Sequence, residues 1–493
     1  MKQLIKQLQR LSDGLRRWAG DRRGATAVIV GLMAVPMTVG VGAAIDYTLG
    51  SQREDQLNAI ADSAALAGET PAMMTQTWAT GQTAAQKLFS TQALTVPGVG
   101  SVVATVTGQD TSLATGVTRV VTVTYSATST NVFAALLGVP TLPLGGTVSA
   151  TQSQAPNINY TLLLDTSPSM ALGATPTDIS TLEAATPNQD SGSGCAFACH
   201  ETYPAGENPA LKNPANVTCV GASTTSFPPN AQGYGAEDNY ALARCLGVTL
   251  RIDLVGKATT DLLNPSAANS APAIAQQNNA IYNFAVDTFD VALTQIAPLS
   301  PTQSSSPNPS PTYAQNALTA INNANGGTGL QQLIVYTNNN LTSSNYNQDE
   351  DTNWDGAMAA LLSGPNALPL PGLGSSAPGD SPQEVLFIVS DGVLDENSSG
   401  SRLESPVEEF IQNCTKIKAK GIRIAFLYTT YQPVPTDSWY QGHVASYQAQ
   451  IGPTYAQGCA SAGLYFEVSN GGDISSAMNT LFQKTVTTAH LTQ

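Results

Sequence analysis

Three kinds of hydrophobic pattern follow one another along the chain. From Ala25 to Ile45 no charged residue occurs, and twenty-one such residues in a helix are enough to cross a bilayer of about 30 Å. Behind this run, Leu49, Leu57, Ile60, Ala64, Ala65 and Leu66 recur mostly at three- and four-residue spacing among polar neighbours, which predicts an amphipathic helix continuing from the apolar one. From about Val96 to Gln154 the pattern changes to β-branched alternation, in SVVATVTG, TRVVTVTYSA and GGTVSATQ, with an apolar VFAALLG between. These stretches predict a small β-rich module with one short helix.

Beyond Pro156 the apolar runs become continuous. Tyr160–Leu164, IYNFAVDTF (281–289), EVLFIVSDG (384–392), GIRIAFLYT (421–429) and GLYFEVS (463–469) have the character of strands buried on both faces, as in a parallel sheet. Helical patterns lie between them, at 239–263, 353–363, 406–421 and 473–486. Strands alternating with helices predict a doubly wound, mainly parallel α/β domain. The expected organisation is a basic segment (1–23), a transmembrane helix (24–46), an amphipathic helical region (47–95), the β-rich module (96–154) and the α/β domain (155–493). Within the last, residues 171–238, rich in Pro, Gly, Ser, Thr and Asn, form an insertion.

Charge assigns sides to this plan. Seven of the twenty basic residues, Lys2, Lys6, Arg10, Arg16, Arg17, Arg22 and Arg23, precede the apolar run, against Asp13 and Asp21. The positive-inside rule then places the N-terminus in the cytoplasm and the long acidic remainder outside. A formal charge of −15 excludes a nucleic-acid footprint, which needs clustered Lys and Arg, and favours cations. All six cysteines follow residue 190, on the side where disulfides persist.

Candidate chemistry gathers at strand ends, where open α/β sheets bind ligands. DTSPSM, after the Tyr160–Leu164 run, offers Asp165, Ser167 and Ser169, and FIVSDG offers Asp391. Oxygen donors without His or Cys suit a hard divalent cation. Alone, DTSPSM would equally suit a helix N-cap or a turn. In this order, however, the segments resemble the von Willebrand A-type (vWA) family, whose metal-ion-dependent adhesion site joins a DxSxS loop, a Thr on a second loop and an Asp on a third. The resemblance implies Asp165, Ser167, Ser169 and Asp391 as metal-site residues. It also implies Thr352 of DTNWDGAMAALL, with Thr328 of NGGTGL as the alternative. The implied ion is Mg²⁺, or else Mn²⁺ or Ca²⁺, with one coordination position open to a partner's carboxylate. Two rival metal readings are weaker. Asp351, Asn353, Asp355 and Gly356 spell the first half of an EF-hand loop, but its twelfth position is Leu362 instead of Glu. Cys195, Cys199 and His200 lack a matching second pair for zinc.

The stretch of about fifty residues from Arg22 to Gly68, with the Arg-Gly entry, the Asp46-Tyr47 exit and the Ala-rich helix behind, resembles the N-terminal region of TadG-like proteins of tight-adherence (Flp) pilus systems, which pair a membrane helix with a periplasmic vWA domain. The resemblance implies a single-pass bacterial inner-membrane protein with a periplasmic or surface-exposed main domain, active in pilus assembly or adhesion through protein partners. It also implies a disulfide between Cys414 and Cys459. No enzyme is expected: GxSxG and HExxH are absent, and the three histidines offer no evident base for Ser167 or Ser169. The alternatives are a metal-independent structural envelope protein and, more remotely, a serine or metal-dependent hydrolase.

Overall fold

The computed structural model describes residues 23–113, 116–187, 192–196, 242–243, 246–264, 266–299, 352–375, 379–398, 401–403, 408–469 and 473–491. Asp351, Thr328, Cys199 and His200 lie outside them. The chain divides into two compact units, one made of residues up to Asp110 with Arg119–Gln152, the other of Thr111–Thr118 with Ser153–Gln493.

In the first unit the apolar run and the amphipathic helix are one continuous helix, α1 (Arg23–Gly68). Its early residues are exposed, including Val28, Leu32 and Val35, and it is long and apolar enough to cross a membrane. Its later part buries Leu57, Ala61, Ala64 and Ala65 against Ala85 and Phe89 of α2 (Trp78–Ala93). The buried face differs from the expected one, since Leu66 stays exposed. The small alanines turn inward because they let α2 and the sheet approach α1 closely. That sheet has the order β1 (Val99–Leu113), β2 (Gly116–Thr130), β3 (Thr141–Gln154), and Val121, Val123 and Tyr125 share the same core. The VFAALLG segment forms a 3₁₀ turn, Ala134–Leu137, between β2 and β3. Arg119 is fully buried. It donates to both carboxylate oxygens of Asp110 at 2.6 and 2.8 Å, and to the carbonyls of Gly68, Met73 and Gln76. The guanidinium thus adds donors to carbonyls at and beyond the end of α1, where helical partners run out.

The second unit has the doubly wound, mainly parallel sheet expected. Its strands are β4 (Ile158–Asp165), β5 (Tyr282–Phe289), β6 (Leu293–Ala297), β7 (Gln383–Ser390), β10 (Arg423–Thr429) and β11 (Tyr465–Val468), and a two-stranded hairpin, β8 (Glu396–Ser398) with β9 (Ser401–Leu403), stands apart. The order is β11-β10-β7-β4-β5-β6. All neighbours are parallel except β5 and β6. One face packs Tyr160, Leu162, Phe387 and Val389 against α4 (Arg251–Leu263) and α8 (Ile474–Leu491), with α3 (Pro176–Ala185) and α5 (Ala271–Gln277) alongside. The other packs Leu163, Leu386 and Ile388 against α6 (Trp354–Leu362) and α7 (Glu408–Ala419). Cover on both faces is the reason the strands read as continuous apolar runs.

Two expectations need correction. The helix foreseen over 239–263 is interrupted: residues 242–243 and 246 are helical, but Leu250 is extended and bridges to Gly173, so that α4 starts at Arg251. The antiparallel edge β6 carries no apolar run to announce it. Cys414 and Cys459 are joined in a disulfide.

At the opposite end of the sheet from Asp165, Glu384 accepts from Asn159 Nδ2 at 2.6 Å, and Asn159 accepts from Asn283 at 2.9 Å. Burial pushes the Glu384 carboxyl up to about 8. The folded chain therefore retains a proton that the unfolded chain releases above the ordinary carboxylate range. Stability should fall as pH rises from about 4.5 to about 8. Glu384→Gln, which mimics the protonated form, should remove that part of the slope in urea titrations run across this range. An unchanged slope would contradict the assignment.

Candidate metal centre

Asp165 ends β4 at the carboxyl edge of the sheet, and the chain must turn sharply there. The turn is stabilised from within: Ser167 N–H donates to Asp165 Oδ1 at 2.9 Å, and Pro168–Ala171 forms a 3₁₀ turn. Pro168, with its fixed φ, suits the first position of that turn. Ser167 and Ser169 hydroxyl oxygens lie 3.0 Å apart. From the neighbouring strand, Ser390 Oγ donates to Asp165 Oδ2 at 2.5 Å.

Asp391 follows Ser390 directly. Its Oδ1 accepts Val393 N–H at 3.0 Å, and its Oδ2 accepts Arg251 Nη1 at 2.9 Å. The Asp-Gly pairing has a backbone cause: Gly392 adopts φ 71°, and a Cβ there would come within 2.5 Å of Ile451. Both aspartates are fully buried. Burial, and then the Asp391 charge, push Asp165 up to about 7. Burial also raises Asp391, against the opposing pull of Arg251.

The structure thus gathers Asp165, Ser167, Ser169 and Asp391 at adjacent strand ends. Thr352 is buried and held at a bridge to Asp395, four residues beyond Asp391. The next residue, Asn353, donates its N–H to Asp290 O at 2.8 Å, and Asp290 Oδ2 accepts from Thr166 in the DTSPSM loop at 3.1 Å. Trp354 fixes this second loop from below, donating Nε1 to Val393 O and lying 4.3 Å from the Phe289 ring. The EF-hand alternative fails on the same segment. Asn353 Oδ1 caps α6 by accepting Gly356 N–H at 2.6 Å, Asp355 accepts from Asn413, and a helix occupies the span a calcium loop would need.

Two participants escaped the sequence reading, Ser390 and Arg251. Arg251 is 2% exposed, donates to Thr430 O at 2.7 Å and lies 5.5 Å over the Tyr431 ring. Its signal was positional: it falls in register with Val255, Ala258 and Leu262, on the face of α4 that is buried.

The first unit's helices decide a separate question. Residues 24–86, spanning most of α1 and the first half of α2, match the family described as "Putative Flp pilus-assembly TadE/G-like". The N-terminal region is TadE/G-like. No curated protein matches the chain. Among solved structures, BatB from Bacteroides thetaiotaomicron is 11% identical, covering 67% of this chain and 100% of its own at TM-score 0.28. The vWF domain of the type V pili tip protein Mfa5 from Porphyromonas gingivalis is 7% identical, covering 69% and 98% at TM-score 0.30. Proximal thread matrix protein 1 from the mussel byssus is 11% identical, covering 68% and 47% at TM-score 0.28. At such scores these likenesses add nothing to the sheet order and registers, on which the α/β assignment of the second unit rests. The TadE/G-like segment includes the apolar helix and Asp46 but none of the candidate metal residues.

The donor set fits a hard cation. Asp165, Ser167, Ser169 and Asp391 present only oxygen. Each carboxylate oxygen is already held by a protein donor, so the hydroxyls of Ser167 and Ser169 would ligate directly, and the aspartates would orient bound water. Among the described residues no group of three or more His, Cys, Asp or Glu gathers.

Proposed function

We propose that the chain is a membrane-anchored protein of pilus assembly or surface attachment, whose second unit docks acidic partner groups through a divalent cation held at the DTSPSM loop. The observation that carries this reading is the burial of two aspartates and two serine hydroxyls together at the carboxyl edge of β4 and β7. When both are ionised, the two carboxylates hold more negative charge than Arg251 neutralises, and a cation with few anionic ligands keeps its affinity for an incoming carboxylate. Mg²⁺ is the proposed ion, with Mn²⁺ or Ca²⁺ as alternatives, and Thr352 the proposed fifth participant. The TadE/G-like segment supports pilus components as partners, and the exposed apolar part of α1 supports the membrane anchor, with the N-terminus cytoplasmic and the chain beyond that apolar part outside. Binding, not catalysis, is the proposed role: the sequence carries neither a GxSxG elbow nor an HExxH motif.

The Arg251–Asp391 ion pair favours a second reading, in which the guanidinium is the resident cation and docking needs no metal. Calorimetric titration with Mg²⁺ separates the two. On the metal reading, Asp165→Asn should weaken binding by about 10- to 100-fold, the usual cost of losing a supporting carboxylate, and Thr352→Val should weaken it too. No Mg²⁺ heat in the unaltered protein would leave only the metal-free reading.

A further inference from the structure

The turn between β2 and β3 carries an exposed apolar tip: Val132 is 59% exposed, Leu136 85%, Leu137 60% and Val139 52%. Clustered apolar exposure of this kind marks a surface that meets something other than water. No residue from Asn131 to Pro140 is charged.

The tip is fastened to α1 at a defined level. Asp46 accepts the N–H groups of Val132 at 2.7 Å, Phe133 at 2.9 Å and Ala134 at 2.6 Å. One turn earlier, Gly42 leaves room for Phe133, since a Cβ there would lie 2.6 Å from the Phe133 Cβ. One turn later, a Cβ on Gly50 would lie 2.6 Å from Leu142. Gly42, Asp46 and Gly50 thus form one stripe of α1 that receives the end of the hairpin. Phe133 sits against Gly42, inside the uncharged run that ends at Ile45, about 6 Å toward its centre from Asp46 at 1.5 Å per residue.

Most of the tip's backbone N–H groups are also satisfied internally. Leu136 N–H donates to Phe133 O, Gly138 N–H to Ala135 O and Val139 N–H to Ala134 O, while Asn131 Nδ2 takes Val139 O. With Pro140 lacking an N–H, few backbone donors remain that would need water. A loop can enter the boundary of a hydrocarbon layer only on that condition.

We propose that residues 132–139 are a wedge inserted into the lipid leaflet from which α1 emerges, a second membrane contact beside the spanning helix. This rests on the reading of α1 as a membrane anchor. The lipid is favoured as occupant because the tip is continuous with the exposed apolar surface of α1, through Val41 and Ile45, at the level where that surface leaves the uncharged run. Insertion to the headgroup and acyl boundary matches the roughly 5–10 Å reached by other interfacial apolar faces.

The test is site-specific photocrosslinking of the full chain reconstituted in phosphatidylethanolamine and phosphatidylglycerol vesicles. A diazirine residue replaces Leu136, Ile29 in the apolar helix, or exposed Ser149, which lies eight residues along β3 from Thr141. Substitution at Leu136 perturbs little, because that side chain is almost free of contacts. Leu136 should give lipid adducts about as abundant as Ile29, and Ser149 few. Lipid adducts at Ile29 with none at Leu136, or with Leu136 joined to a second copy of the chain, would overturn the wedge and leave the anchor standing. An absence of lipid adducts at both positions would remove the anchor, and the wedge with it.

Discussion

Replacing Arg251 with alanine should destabilise the second unit by about 3–5 kcal/mol in cation-free buffer, the usual cost of stranding one member of a buried ion pair. Arg251 and Asp391 are both shielded from water, and Asp165 stands beside Asp391 as a second buried carboxyl. Removing the guanidinium leaves Asp391 with Val393 N–H and the Ser169 hydroxyl as its donors and deprives Thr430 O of its partner. The folded protein must then protonate the carboxyl or admit water, and both cost stability. Mg²⁺ should return part of the loss if the metal reading holds: at a hundred-fold excess over its dissociation constant a ligand stabilises by about 2.7 kcal/mol. Urea titrations with and without Mg²⁺ measure both quantities. A loss under about 1 kcal/mol would mean that the pair is already hydrated.

The second large effect is expected from the Cys414–Cys459 bond. It joins the buried face of α7 to the segment before β11 across a sequence separation of 45, and both cysteines are fully buried in the core of that face. By the loop-entropy relation, closing such a loop in the unfolded chain is worth about 4 kcal/mol. Replacing both cysteines with alanine should lower stability by about that amount, with a small cavity penalty on top. Replacing either one alone should do the same and leave a thiol reactive in urea. If the double variant melted with the unaltered protein, the bond would not constrain the unfolded ensemble.

Much of the second unit was legible because its central strands are covered on both faces, so that Tyr160–Leu164 and the run before Asp391 carry an unbroken apolar signature. The edge strand β6 was not, because Leu293–Ala297 is half exposed and its LTQIA sequence carries only two strong apolar residues. Asp165, Ser167, Ser169 and Asp391 were legible as oxygen donors at strand ends. Ser390 and Arg251 were not. A serine before an Asp-Gly turn resembles any loop serine, and an arginine opening a helix reads as solvent-facing until the helix is docked. Asp46 was visible only as the charge that ends the apolar run. Its three backbone donors arrive from residues more than eighty positions away, a distance over which local periodicity carries no information.

The unbroken course of α1 has a mechanical consequence. Rotation about a loop would let the sheet of the first unit swing freely above its anchor, but no loop intervenes between the exposed apolar segment and the helix turns bearing Leu57 and Ala61. Any roll or tilt imposed on the anchor is therefore imposed on β1–β3 as torque, through a shaft about 69 Å long at 1.5 Å per residue. A force applied to that sheet would return along the same shaft.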